Sequence, residues 1–325
     1  MDVACVQPLR KEYPLAAGTA SPTVLWMRSV WTVVFYVVLV FAGGALIAPW
    51  LYWGMQGSGP AGIFRFFAAQ PFHRFVLRSI LGLALLGLWP VARYSGIRTW
   101  REVGFWWGPG SFRQLLLGGS LGFVSLALIA FFALLFEARR WNTGIPPGRL
   151  EESIVRALLS ALVVAILEEI LFRGVLFGVL KRGHSAVLAL FGSSGIYAIV
   201  HFFRIVEWHQ PLTWHSGFQT LALMMQGFID PQSLVPRFLV LLLAGMILAL
   251  AFEKTEALWF SIGAHAGWIF WLKIYGVLTV PQSSSLVSFW GTSKLTDGWF
   301  AAMVLLIPTL LLWERRTRTS HVRMA

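Results

Sequence analysis

Apolar residues in this chain come in long runs separated by short polar stretches. The first runs from about Val24 to Trp53, broken only by Arg28, and the second from about Phe75 to Ala92. Others follow at about Gln114–Phe136, Ile154–Leu180, Ser185–Phe203, Leu234–Phe252, Ala257–Leu272 and Trp299–Trp313. A hydrocarbon core of about 30 Å needs about 20 apolar residues in a helix. The pattern therefore predicts an all-α fold, a polytopic transmembrane helix bundle of about eight spans. Residues 24–313 read as one membrane domain, residues 1–23 as a cytoplasmic N-terminal segment and residues 314–325 as a basic C-terminal tail. The polar start is longer than the basic region of a signal peptide, and the run after it is too long for a signal core, so the first span is expected to be retained. The connection from Arg204 to Asp230 is unusually long. It holds Trp208, His209, Trp214 and His215, then a moderately apolar stretch from Leu221 to Ile229, expected as a surface or re-entrant helix with aromatic anchors.

Composition narrows the class. Only 12% of the 325 residues are charged and 57% are hydrophobic, against about 25% charged in an ordinary soluble domain. A soluble enzyme, a disordered chain and a disulfide-stapled domain are all excluded. The lone Cys5 cannot form an internal disulfide, and no short Cys/His zinc spacing is present. The formal net charge of +12 sits mostly between the apolar runs. Topology and anionic lipid explain it there, and no nucleic-acid partner is expected.

An even number of spans puts both termini on one side. Arg315, Arg316, Arg318 and Arg323 place that side in the cytoplasm, consistent with a bacterial inner membrane. Arg93, Arg98, Arg101, Arg113 and the turn Lys181-Arg182 then fall inside as well. Arg139, Arg140 and Arg149 run against the rule.

The informative charges lie inside the runs. An ionisable side chain in mid-membrane costs about 2.5–3.5 kcal/mol on insertion scales, yet the fourth run holds Glu168, Glu169 and Arg173. Glu169 and Arg173 are four residues apart on one helix face and can neutralise each other. Glu168 points about 100° away and has no partner on its own helix. An unpaired carboxylate there suits a general base or a shared proton. The fifth run contributes His201. Glu168 lies about 14 residues before the Lys181-Arg182 turn and His201 about 18 after it, so an antiparallel pair brings them to similar depth at about 1.5 Å per residue. The seventh run places His265 among small residues. Gly174/Gly178 and Gly263/Gly267 have the spacing that lets helices approach closely. Gly118 and Gly122 share it, with no polar group nearby in sequence.

These residues resemble the motifs of the CAAX protease and bacteriocin-processing family, the CPBP or Abi family, which includes the type II CAAX prenyl endopeptidases. Glu168-Glu169-x-x-x-Arg173 is similar to its E-E-x-x-x-R motif. Tyr197-Ala198-Ile199-Val200-His201 is similar to its F-x-x-x-H motif, with Tyr for Phe. His265-Ala266-Gly267-Trp268-Ile269 is similar to its third motif, in which Asn often stands where Ile269 does. The agreement covers about residues 150–275. The resemblance implies an intramembrane peptidase acting on a membrane-anchored or lipidated protein. Glu168 would activate water with His201 beside it, and His265 would stabilise the oxyanion. Glu169 and Arg173 would hold the site in shape, and Tyr197 could add a hydroxyl. No cofactor is favoured. Zinc is the possible one, with Glu168, His201 and His265 as ligands. Two other readings compete. Ile269 cannot donate a hydrogen bond, which points to a catalytically weak or inactive membrane scaffold or immunity protein. Membrane Glu/His groups can also relay protons in a proton-coupled transporter.

Overall fold

A computed structural model describes residues 22–57, 63–146, 148–228, 231–282, 287–292 and 294–322. Cys5, the segment before Pro22 and Arg323 lie outside these residues. The fold is a helical bundle, with strands among the described residues confined to one short pair. Its long helices are α1 (Pro22–Gly57), then, after the short α2 (Ile63–Ala68), α3 (Phe72–Tyr94) and α4 (Ser111–Leu135). The charged fourth run forms α5 (Arg149–Glu169), a π-helical segment (Ile170–Phe177) and α6 (Gly178–Gly183) in direct succession. Helix α7 (Ala186–Val200) packs back beside it. Beyond α8 (Ser216–Met224) come α9 (Pro231–Thr255), α10 (Trp259–Leu278), the short α11 (Val287–Trp290) and α12 (Trp299–Val322).

Each of the eight apolar runs is thus a helix. By length and composition four helical segments among the described residues can cross a membrane: Met27–Gly57, Phe72–Tyr94, Ser111–Leu135 and Leu234–Thr255. Ala186–Val200 is a shorter apolar helix. Large side chains such as Phe35, Leu86 and Leu159 point outward, as expected of a surface facing lipid. Helix α12 continues unbroken through the basic residues as far as Val322.

The glycines explain the tightest contact. A Cβ on Gly118 would meet the Phe260 carbonyl oxygen at 2.0 Å, and one on Gly122 the Ala264 oxygen at 2.1 Å. Reciprocally, a Cβ on Gly263 would lie 2.2 Å from the Leu115 oxygen. Helices α4 and α10 therefore touch backbone to backbone, the close approach that small residues permit in lipid. Far from lacking a polar neighbour, Gly118 and Gly122 seat the helix that carries His265. Trp268 donates to Ser125 Oγ across the same seam at 2.9 Å.

The far ends of these two helices are tied by strands β1 (Arg139–Trp141) and β2 (Thr279–Pro281), paired antiparallel. Arg139 is buried there. It donates to Thr279 Oγ1 at 2.7 Å and to the Thr279 carbonyl at 2.9 Å, and lies over the Tyr275 ring. One of the three arginines that conflict with the charge rule is thus a structural tie. At the opposite end, Arg182 pairs with Glu102 at 2.9 Å, Arg316 with Glu253 at 2.8 Å, and Arg28 donates to the Tyr94 carbonyl. These contacts gather the start of α1, the end of α3, the α6–α7 turn, the end of α9 and the tail of α12 at one end of the bundle.

Candidate active site

The π-helical segment shapes the site. Phe172 to Phe177 are six buried residues in a row, so this stretch packs on all sides. Gly174 makes room for it: a Cβ there would meet Val103 Cγ1 at 2.4 Å. Wide helical turns of this kind recur at functional sites. Nothing in the apolar pattern announces this one, because a π segment and an α-helix bury the same residue types.

The two adjacent glutamates face different surroundings. Glu169 is fully buried and its Oε1 accepts from Arg173 Nη1 at 3.0 Å and from His265 Nδ1 at 2.8 Å. Arg173 Nη2 is directed at the Gly245 carbonyl at 3.4 Å, and the guanidinium lies over the Tyr197 ring, 4.4 Å from its centroid. Both bonds to Glu169 are made through its Oε1, which offsets part of the cost of burying the carboxylate, while Oε2 is buried with no hydrogen-bond partner among the described residues. Glu168 keeps 24% of its side-chain surface exposed. Its Oε2 lies 3.6 Å from His201 Nε2 and 3.7 Å from His265 Nε2, with no hydrogen-bond partner of its own. The sequence expectation that Glu168 diverges from the Glu169–Arg173 pair, and that His201 meets it across an antiparallel turn, agrees with this placement.

Hydrogen bonding fixes the ring tautomers. His201 Nδ1 lies 2.7 Å from the Tyr197 carbonyl. A carbonyl can only accept, so Nδ1 carries the proton and Nε2 presents a lone pair when the ring is neutral. His265 Nδ1 likewise donates to the Glu169 carboxylate, leaving its Nε2 as an acceptor, 3.3 Å from the Tyr197 hydroxyl. Three acceptor atoms, Glu168 Oε2 and two imidazole Nε2, thus converge. Such a cluster is stable when it shares a proton or surrounds a donor such as water. Arg237 holds the helix end beneath it by donating to the His201 carbonyl.

All six residues singled out in the sequence (Glu168, Glu169, Arg173, Tyr197, His201 and His265) are brought together. Ile269 stands one turn beyond His265, nearly buried in the apolar core with Phe172 and Tyr197. His209 and His215 are remote: His209 pairs with Glu207 at the surface and His215 contacts Thr213 and Trp214. Among the described residues no cluster of three or more His, Cys, Asp or Glu is set up to hold a metal. Glu168, His201 and His265 have the right donor chemistry for zinc, but the His265 Nε2 lone pair a metal would need already faces the Tyr197 hydroxyl.

Glu168 and His201 lie at the edge of an apolar cavity of about 390 Å³. Its walls are Tyr36, Val40 and Phe41 of α1, Ile80, Leu81 and Ala84 of α3, Leu171 and Phe172 of the π segment, Ile196 and Val200 of α7, and Met224 at the end of α8. Tyr36 contributes only its ring, since its hydroxyl donates to the Ala84 carbonyl at 2.6 Å. This space is not legible in the sequence, because its lining comes from five separate segments whose apolar residues look like any lipid-facing surface. Helix α8 closes one side by backbone contact, a Cβ on Gly217 meeting the Ala45 oxygen at 1.8 Å.

Residues 150–271 match the family model described as type II CAAX prenyl endopeptidase Rce1-like. The match spans α5 to the middle of α10, includes all six site residues, and agrees with the family resemblance of the three motifs. Comparison with curated proteins and with solved structures gives no match.

Proposed function

We propose that this protein, with its type II CAAX endopeptidase-like segment at residues 150–271, is an integral membrane peptidase that hydrolyses a peptide bond in a membrane-associated or lipidated protein. The observation that carries the reading is the meeting of an unpartnered carboxylate with two imidazoles, at 3.6 and 3.7 Å, beside an apolar cavity. Glu168 acts as general base. It takes a proton from water as the water oxygen bonds to the scissile carbonyl carbon, and returns it to the leaving nitrogen as the C–N bond breaks. His201, with Nδ1 fixed on the Tyr197 carbonyl, offers Nε2 to orient the same water. Glu169 and Arg173 keep His265 in place on the other side.

The cavity takes the lipid part of the substrate. Its volume falls in the range of about 300–1,000 Å³ usual for ligand pockets, and its lining is almost wholly apolar. A hydrocarbon chain bound there leaves the attached peptide beside Glu168. The reaction is metal-free in this reading, because Tyr197 competes for the His265 lone pair, and a zinc chelator then leaves cleavage unchanged. In this reading both termini are cytoplasmic by the positive-inside rule, which the gathering of Arg28, Arg182 and Arg316 where α1 begins and α12 ends supports.

The test compares membrane proteomes of cells carrying the wild-type chain and Glu168→Gln. The expected result is one or more membrane proteins that keep a terminal fragment only in the variant, with equal accumulation of the two chains. Identical processing in both strains defeats the reading.

A further inference from the structure

We propose that the Tyr197 hydroxyl is the hydrogen-bond donor that meets the charge developing on the substrate carbonyl oxygen. The inference rests on the peptidase reading and gives Tyr197 the role that the family resemblance implies for His265. Attack on a carbonyl makes an oxyanion, and an oxyanion needs donors aimed at it. Glu168 can only accept. His201 spends its Nδ1 proton on the Tyr197 carbonyl at 2.7 Å, and His265 spends its own on Glu169 at 2.8 Å. With the rings neutral, each turns its Nε2 lone pair toward Glu168. Ile269, one turn along α10 from His265, brings only methyl and methylene groups. The Arg173 guanidinium is committed to Glu169 and lies over the tyrosine ring. That leaves one hydroxyl donor among these residues, on Tyr197.

The ring is held for the task. Tyr197 is almost fully buried, the edge of Phe172 meets it with centroids 5.2 Å apart, and the His201 ring lies 4.4 Å away. Only the hydroxyl proton is free to move, because a hydroxyl hydrogen rotates to suit its acceptor. At rest it points to His265 Nε2 at 3.3 Å, which lies 3.7 Å from the Glu168 oxygen. When charge builds on a carbonyl oxygen held beside Glu168, rotation about the C–O bond transfers the hydrogen bond from imidazole to oxyanion. No bond is made or broken at Tyr197, and no side chain has to change rotamer. His265 then holds the hydroxyl ready in the resting site.

The test uses the full-length chain in detergent, a farnesylated CAAX peptide with a quenched fluorophore, and the variants Tyr197→Phe and Tyr197→Phe/Ile269→Asn. Removing one oxyanion donor costs about 10²–10³ in rate in a well-studied case. Tyr197→Phe is therefore expected to lower kcat about 100-fold and to leave KM within about twofold. The added Asn, reaching from one turn past His265, is expected to restore at least about tenfold. A kcat within about twofold of wild type in Tyr197→Phe overturns the proposal. A wild-type chain that does not cleave this peptide removes that substrate class from the peptidase reading. The donor assignment is then decided by ¹⁵N spectra of histidine-labelled protein, with His265→Gln identifying the His265 signals. Wild type is expected to show a protonated Nδ1 and a hydrogen-bonded, unprotonated Nε2 at His265, and only that Nε2 signal is expected to move in Tyr197→Phe. An unmoved signal overturns the assignment.

Discussion

The seam between α4 and α10 and the space between the α1–α3 pair and the α5–α7 pair are opposite answers to the same problem of filling the gap between membrane helices. At the seam, glycines bring two backbones into contact and leave room for nothing else. In the space, Tyr36, Ile80, Leu81, Phe172 and Val200 stand back around a cavity of about 390 Å³. Glu168 and Glu169 lie where the two regions meet. On the closed side Glu169 Oε1 accepts from Arg173 and His265 although its Oε2 has no partner, while on the open side Glu168 Oε2 has no hydrogen-bond partner among the described residues. On the proposed function the contrast separates a wall that holds the site residues from a chamber for the substrate's lipid, and identical side chains acquire different roles from the side they face.

The strongest way to break the closed side is Glu169→Gln. It leaves the Arg173 guanidinium buried without its counter-ion, and losing one partner of a buried pair costs about 3–5 kcal/mol. A large fall in the thermal unfolding midpoint in detergent is expected. A midpoint equal to wild type contradicts the structural role given to Glu169.

The seam itself is tested by Gly118→Ala and Gly263→Ala. Each new Cβ falls about 2 Å from a backbone oxygen, so the helices must separate, at about 1–3 kcal/mol as in overpacked cores. Gly54→Ala, where a Cβ meets nothing within 4 Å, serves as the control and is expected to keep or slightly raise the midpoint, since Ala favours the helix over Gly. Equal behaviour of the three variants removes the distinction between seam and surface.

The open side is sharpened by Leu81→Trp, which fills cavity volume without touching a charged residue. KM for a lipidated peptide is expected to rise about tenfold, equivalent to about 1.4 kcal/mol, with kcat and thermal stability close to wild type. An unlipidated peptide of the same sequence is expected to show no such rise. If both peptides respond alike, the cavity does not read the lipid.

The smallest effect lies outside both regions, at Glu102. Partial burial raises its carboxyl pKa, but hydrogen bonds from Arg182, Thr99 and the Arg98 backbone N–H outweigh this and hold it below the usual carboxylate range. A folded value below the unfolded one of about 4.3 gives stability that is present above that pH and lost as pH falls through the folded value. Wild type is therefore expected to exceed Glu102→Gln by a few tenths of a kcal/mol at neutral pH and to converge with it in acid. A gap that widens on acidification contradicts the assignment.

Much of this was legible in the sequence. The runs gave the helices because backbone groups in lipid must be satisfied within the segment. The site residues stood out because intramembrane charges are costly and therefore few. The register Glu168/Glu169/Arg173 even separated the paired acid from the lone one. What stayed hidden is what depends on packing between segments. The π segment at Ile170–Phe177, the burial of Arg139 against Thr279 and the seating of Gly118 and Gly122 on α10 all depend on partners more than 60 residues away or on backbone bonding that side-chain type does not encode. The cavity was hidden for a related reason. An apolar residue that lines a chamber and one that faces lipid are the same in sequence.

The central claim is that Glu168 is the base and Glu169 the brace. Its most direct test is cleavage of a farnesylated CAAX peptide by purified wild type and Glu168→Gln, with the thermal midpoint of each measured in the same detergent. Losing a general base removes about 10²–10⁴ in rate, so Glu168→Gln should be folded, with a midpoint near wild type, and at least about 100-fold slower. A Glu168→Gln protein that cleaves at the wild-type rate would contradict the account.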